Sequence, residues 1–375
     1  MASRPGISVS VVSPVPFFPR WLKTERWRAA STLPDEESMG GLTVYHPRYF
    51  LLPKVSMPIH GASMFLGSLS CVRALHRKAK IDCIDAHFVY PDGLAAVLLG
   101  KALDVPVVVS ARGTDINLFP SFRLIRPMIR WTLDRADAIV AVSAALREAM
   151  VALGTDREKI HLIPNAIDSE RFRRIPAEEA RRELGLPERN PLVISVGSLI
   201  PSKGHQFLIR AVGSIASKVA GIQLYILGEG PYRTELEQLT RELGLEKLVH
   251  LVGKHPNEEL PLWFSSASLS CLASSREGWP NVITESLACG TPVVATRVGG
   301  IPEILHSPDL GILVEQSSEA IAAGIQEALA KNWDREEISR RNSSRTWKTV
   351  AEEVETVLLK QTQSRGASAR EGRKG

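Results

Sequence analysis

Short, continuous apolar runs recur along the chain, each bounded by glycine, proline or polar residues. They are Cys83–His87 (CIDAH), Pro106–Ser110 (PVVVS), Ala138–Val142 (AIVAV), His161–Pro164 (HLIP), Leu192–Val196 (LVISV), Gln223–Leu227 (QLYIL), Val249–Val252 (VHLV), Leu269–Leu272 (LSCL) and Pro292–Thr296 (PVVAT). Runs of this length rich in β-branched residues predict strands buried on both faces. Between them the apolar spacing predicts helices over Leu66–Arg77, Leu94–Leu103, Pro127–Leu133, from Ser143 onward, over Gln206–Ala216 and over Asn281–Ala288. Alternation of strand and helix with short loops is the pattern of a parallel sheet covered by helices.

The N-terminal part is less regular. Ile7–Ser13 (ISVSVVS) and Thr43–Tyr45 read as strands, with a proline-rich loop (PVPFFPRW) between them and an irregular HPRYFLLP segment after. The alternation restarts after Arg171–Pro191, a polar stretch holding one short helix closed by Gly185. Two α/β halves sharing a cleft are expected, with ligands at the carboxyl ends of the strands. A last helix is expected over Ile338–Leu359, and the polar, basic tail from Gln361 reads as disordered.

Composition narrows the function classes. The 375 residues suffice for two cores, and 44% hydrophobic with 23% charged residues describes a globular protein. No apolar run reaches the length of a membrane span. The apolar N-terminus is broken by Pro14 and Pro16 and lacks a small-residue cleavage site, which argues against a secretory leader. Cys71, Cys83, Cys271 and Cys289 show no CxxC pairing and read as buried free thiols in a reducing compartment, with the cytoplasm the default.

The net charge of +5 is unevenly spread: residues 1–165 hold 20 Lys and Arg against 14 Asp and Glu, and residues 166–360 hold 22 against 26. A basic first half suits an anionic membrane face or a phosphorylated acceptor. Arg73, His76, Arg77, Lys78 and Lys80 flank one predicted helix end, where dipole matching on a solvated face is the plainer explanation and membrane contact the alternative. Aromatic residues are few and none interleave with a basic stretch, so nucleic acid is a poor partner.

The chemistry concentrates in Ser274–Glu303, SSREGWPNVITESLACGTPVVATRVGGIPE. Glu277 lies in a loop ahead of a helix, Glu285 lies within that helix, and Gly299-Gly300 makes a tight turn after the following strand. One glutamate near a helix start is ordinarily a dipole device. Two acids with a double glycine suit a larger ligand: carboxylates accept hydrogen bonds from hydroxyls, and backbone N–H groups at helix starts and glycine turns hold phosphate. A sugar nucleotide presents two hydroxyl-rich rings joined by a diphosphate. Lys203, in GSLIPSKGH between a strand and a helix, is placed to reach a phosphate. The GEGPYR stretch, with Gly228 and Gly230, lacks the third glycine of a dinucleotide fingerprint, which weakens a nicotinamide-dependent dehydrogenase reading.

EGWPNVITE followed by SLACGTPVVATRVGGIPE resembles the donor-site signature of retaining glycosyltransferase family 4, and the resemblance covers residues 7–360. It implies the GT-B architecture, two Rossmann-like domains facing a central cleft with a final helix returning to the first. The boundaries are then 1–168 for the acceptor-side domain, 169–335 for the nucleotide-sugar domain, 336–360 for the crossover helix and 361–375 for the disordered tail. It also implies transfer of a hexose-type sugar from a nucleoside-diphosphate sugar to an acceptor hydroxyl, with retention at the anomeric carbon. Glu277 would bind donor hydroxyls, Glu285 the ribose, and Lys203 the diphosphate. Gly228 and Gly230 would let backbone approach the nucleotide, and Asn281, Gly278 and Arg276 would border the donor.

The chain departs from the family pattern in three places. Ser198 stands where the phosphate loop usually offers an arginine, and Arg276 or Arg112 is positioned to compensate. His87 of AHFVYPDG, with Asp92, stands where a histidine approaches the donor sugar, whereas Arg112 of ARGTDIN replaces a second histidine. Arginine donates hydrogen bonds but cannot serve as a general base. Family members also begin with a strand and glycine loop ahead of a segment like VSVVSPVPFFP, so this start reads as a mis-set start codon, with a fragment or a degenerate copy as alternatives. No DxD-type acid cluster occurs, so neither metal nor cofactor is expected. The expected acceptor is a lipid-linked oligosaccharide in envelope or extracellular polysaccharide assembly, at the inner membrane face. The rival reading is an inactive nucleotide-binding or scaffold protein.

Overall fold

The computed structural model describes residues 4, 6–17, 32–52 and 56–371. The expected proline-rich loop lies outside the described residues from position 18 onward. The chain forms two compact units, Met1–Ile163 with Ala351–Gly375, and Pro164–Val350. The division precedes the boundary at 168 read from the sequence, for a visible reason. Ile167 bridges to Thr346, and the Arg345 guanidinium donates to the Pro164 carbonyl at 3.1 and 3.0 Å, so residues 164–168 are tied into the second unit.

The first unit contains β1 (Val11–Val12), β2 (Val15–Phe17), β3 (Glu36–Met39), β4 (Leu42–Tyr45) and β5 (Arg48–Phe50). β4 pairs in parallel with β1 and antiparallel with β3, and β2 pairs in parallel with β5. The stretch expected to be irregular therefore holds a strand, and the strand expected over Ile7–Ser13 is confined to Val11–Val12. Four parallel strands follow in spatial order: β6 (Ile84–His87), β7 (Val107–Ala111), β8 (Ala138–Ala141) and β9 (Ile160–Leu162). Every residue of β7 and β8 is buried, as a sheet covered on both faces requires. The helix after β5 runs His60–Lys78, starting well before Leu66. Its first half packs closely through glycine: a Cβ at Gly61 would sit 2.6 Å from Leu94 Cδ2, and one at Gly67 2.4 Å from the Arg48 carbonyl.

The second unit is one six-stranded parallel sheet. Its strands are β10 (Leu192–Val196), β11 (Gln223–Leu227), β12 (Val249–Gly253), β13 (Leu269–Leu272), β14 (Val293–Thr296) and β15 (Gly311–Val314), in spatial order β12-β11-β10-β13-β14-β15. The strand sequence reverses between β10 and β13, the topological switch point where open α/β sheets bind ligands. One face is covered by helices His205–Ile215, Arg233–Glu242 and Ser318–Ala330 through Leu208, Val212, Leu236, Ile321 and Ile325. The other carries Phe172, Trp263, Phe264, Ile283, Leu287 and Ile338.

The expected single crossover helix over 336–360 is two helices, Arg335–Asn342 and Trp347–Glu371. The break falls on NSSR, whose side chains compete for backbone: Asn342 Nδ2 and Ser343 Oγ donate to carbonyls four residues back, at 2.8 and 2.7 Å. The second helix continues through residues 361–371, where a disordered tail was expected. All four cysteines are free thiols; Cys271 and Cys289 are buried, but Cys71 and Cys83 are only half-buried. Among the described residues no helix is long and apolar enough to cross a membrane.

Candidate active site

The loops that leave β10, β11, β13 and β14 at their carboxyl ends pack backbone to backbone, and glycines make this possible. A Cβ at Gly204 would lie 1.9 Å from the Ala273 carbonyl oxygen, one at Gly228 1.9 Å from that of Gly197, and one at Gly230 2.3 Å from that of Leu199. The bare Cα atoms of Gly228 and Gly230 face the neighbouring loop, and the Gly228 N–H donates to the Gly253 carbonyl at 2.8 Å. Gly299, at φ +52°, would place a Cβ 1.9 Å from the Glu277 carbonyl oxygen, and the Gly300 N–H donates to Gly278 at 3.2 Å. The double glycine thus positions the loop that carries Glu277.

On this platform Lys203 Nζ meets Glu277 Oε1 at 2.6 Å, with side chains 25% and 11% exposed. Ser274 Oγ donates to the same oxygen at 2.6 Å, and its carbonyl accepts from Thr296 Oγ1 at 2.6 Å. The pair joins the loop after β10 to the loop after β13, the two strands at which the strand order reverses. Charge-assisted bonds of this length fix both side chains.

Glu285 lies one helical turn after Asn281 on the helix Asn281–Ala288, whose opposite face buries Ile283, Ser286 and Leu287. Burial raises its carboxyl to about 7, while Arg171 pulls it down. Among the described residues its carboxyl accepts no hydrogen bond, whereas that of Glu277 accepts from both Lys203 and Ser274. Asn281 Oδ1 accepts from Asn165 Nδ2 at 2.9 Å. Ser198 and Arg276 are exposed, and Gly278 is buried.

His205, which follows Gly204, is 1% exposed and held neutral, its imidazole pushed down to about 4 chiefly by burial. Its Nδ1 lies 3.3 Å from Ser195 Oγ, and its Nε2 has no hydrogen-bond partner among the described residues. Sequence reasoning passed over both Ser274 and His205. The signal for Ser274 is its place three residues before Glu277; a histidine after a left-handed glycine carries no local signal of its burial.

The first unit holds His87 and Arg112, which touch each other: Arg112 Nε donates to His87 Nδ1 at 3.2 Å, and His87 Nε2 lies 3.6 Å from Asp85 Oδ2. Burial lowers the Arg112 guanidinium, with Asp85 and Asp115 opposing. Asp115, unrecognised from sequence, organises this loop from a fully buried position. It accepts the N–H of Val89 at 2.8 Å, Gly113 at 2.8 Å and Arg112 at 3.2 Å. Asp92 is raised to about 6 by burial. Among the described residues no group of three or more His, Cys, Asp or Glu side chains is arranged to hold a metal ion.

The sequence profile of the group 1 glycosyl transferases matches residues 176–345, and that of glycosyltransferase family 4 matches residues 6–171. TuaC of Bacillus subtilis (strain 168), named for a glycosyltransferase role in teichuronic acid biosynthesis, is 29% identical over 85% of this chain and 80% of its own. Among solved structures, sucrose-phosphate synthase from Thermosynechococcus elongatus has a TM-score of 0.69 at 22% identity, over 91% of this chain and 86% of its own. Anabaena HepE, solved in complex with UDP-glucose, has a TM-score of 0.63 at 21% identity, over 87% and 86%. At those identities the two structures speak for a shared GT-B fold. The two profiles together take in both units, and the chain belongs to the group 1 glycosyltransferases of family 4.

Proposed function

We propose that this glycosyltransferase moves a hexose-type sugar from a nucleoside-diphosphate donor to an acceptor hydroxyl with retention of anomeric configuration, in assembly of a cell-envelope polysaccharide. The observation that carries the reading is the Lys203–Glu277 pair at the switch point, an acceptor-only group beside a cation. Glu277 receives hydroxyls of the donor sugar, Lys203 turns to the diphosphate, and Glu285 receives ribose hydroxyls. Asn281, Gly278, Ser198 and Arg276 border the same ligand. In the first unit, Arg112 and His87 form a cation–imidazole pair of a kind suited to sugar hydroxyls.

The reaction runs by front-face displacement. The bond from the anomeric carbon to the diphosphate oxygen breaks, the bond to the acceptor oxygen forms on the same face, and the acceptor proton passes to the departing diphosphate. Charge grows on that diphosphate, where Lys203 and backbone N–H groups stabilise it without a metal. The proposed acceptor is a lipid-linked oligosaccharide, and the proposed location is the cytoplasmic face of the membrane.

A panel of nucleoside-diphosphate sugars tested by thermal shift identifies the donor, and NMR of the product made from it reads the anomeric configuration. An inverted product would refute the front-face course. Donor binding without transfer to lipid-linked oligosaccharide acceptors would favour the scaffold reading.

A further inference from the structure

The helix Arg126–Arg135 of the first unit is anchored by Ile125, Ile129 and Leu133, spaced four residues apart and each at most 2% exposed. Arg126 and Arg130 on the helix, with Arg123 in the segment just ahead of it and Pro127, line an open cavity of about 470 Å³. All three arginines are exposed, and no guanidinium group among them has a hydrogen-bond or ion-pair partner among the described residues. Residues 118–133 contain no Asp or Glu, and the next acid, Asp134, lies 3.2 Å from Arg135. The stripe does not serve the helix. Arg126 sits in a first turn that carries no acid, where the macrodipole disfavours a cation, and Arg126 and Arg130 repel at i,i+4 spacing. Beside these cations Phe122 and Leu124 stand 43% and 68% exposed.

We propose that residues 119–131 dock the first unit on an anionic lipid bilayer, with Phe122 and Leu124 entering the interface and the three arginines meeting lipid phosphates. A soluble anion would engage the guanidinium groups and leave Phe122 and Leu124 in water. A bilayer surface uses both, as basic segments carrying apolar side chains do at membrane interfaces. The inference goes beyond the proposed transfer reaction and uses none of its residues.

The test is sedimentation of the full chain with vesicles of phosphatidylcholine alone or with phosphatidylglycerol added, at two salt concentrations. The wild type is expected to pellet with the anionic vesicles only, and less at high salt. Arg123→Glu/Arg126→Glu/Arg130→Glu should weaken partitioning on the order of a hundred-fold, and Phe122→Ser/Leu124→Ser should also weaken it. Because every substituted side chain is exposed, melting temperatures should stay near wild type; Leu124→Ser alone is the milder variant where they do not. Undiminished pelleting of the variants overturns the proposal, as does equal binding to phosphatidylcholine. So does a wild type that ignores vesicles while inorganic phosphate raises its melting temperature in an arginine-dependent way.

Discussion

Lys203 and Glu277, 74 residues apart in the chain, form an ion pair that links the two loops at the reversal of strand order. Each side chain is partly withdrawn from water, so removing one partner leaves the other partly desolvated. Lys203→Met is expected to destabilise the protein by about 1–2 kcal/mol and to cut transfer on the order of a hundred-fold or more through loss of charge stabilisation. Lys203→Met/Glu277→Gln should regain much of the stability and none of the activity. A double-mutant cycle from urea midpoints that returns no coupling would show the pair to be idle.

The ribose contact proposed for Glu285 would tie nucleotide binding to pH. Its carboxyl, raised to about 7 from an ordinary 4.5, keeps its proton in the folded chain after the unfolded chain has lost it. Stability contributed at this site therefore falls as pH rises from about 4.5 to 7, by on the order of 1–2 kcal/mol given its partial exposure. Ribose hydroxyls donating to it would favour the charged form, so binding should tighten through the same window. Glu285→Gln should abolish both trends, and Glu285→Ala should weaken nucleoside-diphosphate affinity about ten- to a hundred-fold. Calorimetric titration at pH 5.5 and 8 checks this; a pH-independent affinity in the wild type would refute the assignment.

His205 has the opposite slope. Buried and neutral, it takes up a proton near 4 when folded but near 6.5 when unfolded. The unfolded chain binds more protons between those values, so stability falls as pH drops from 6.5 to 4, by about 3 kcal/mol at most. The two groups oppose each other from about 4.5 to 6.5, and Glu285→Gln should expose the histidine's acid sensitivity. Melting curves of that variant across the window should fall toward low pH more steeply than those of the wild type.

Gly299→Ala should act through the loop that carries Glu277. Its Cβ would meet the Glu277 carbonyl at 1.9 Å, shifting the loop that presents the carboxylate, whereas a Cβ at Gly244 meets nothing within 4 Å although φ is also positive. Both variants should lose stability from backbone strain, on the order of 1–3 kcal/mol. Only Gly299→Ala should also lose donor affinity. Equal donor affinity in the two would mean that the turn does not position Glu277.

Much of the second unit was legible because its strands are continuous β-branched runs: LVISV, QLYIL and LSCL begin and end where expected. The helix Asn281–Ala288 was also read to its ends. β15 and the helix Ser318–Ala330 were passed over, since GILV is short and the helix is rich in alanine and weakly patterned. The helix from His60 hid its first turns because its packing face there is glycine, which hydropathy does not register. At the site, the sequence offered residue types and spacing. It could not show that Lys203 already holds Glu277, or that Gly228 and Gly230 are required by a neighbouring loop. Those are facts of three-dimensional approach between segments distant in the chain.

The first unit is assembled from both ends of the polypeptide, and the second is one unbroken stretch from Pro164 to Val350. On the ribosome, the domain translated later can therefore finish folding before the earlier one, which must wait for the last turns to emerge. A stop codon after Val350 would leave the second unit whole and remove a segment of the first, so the loss should be felt in the amino-terminal half.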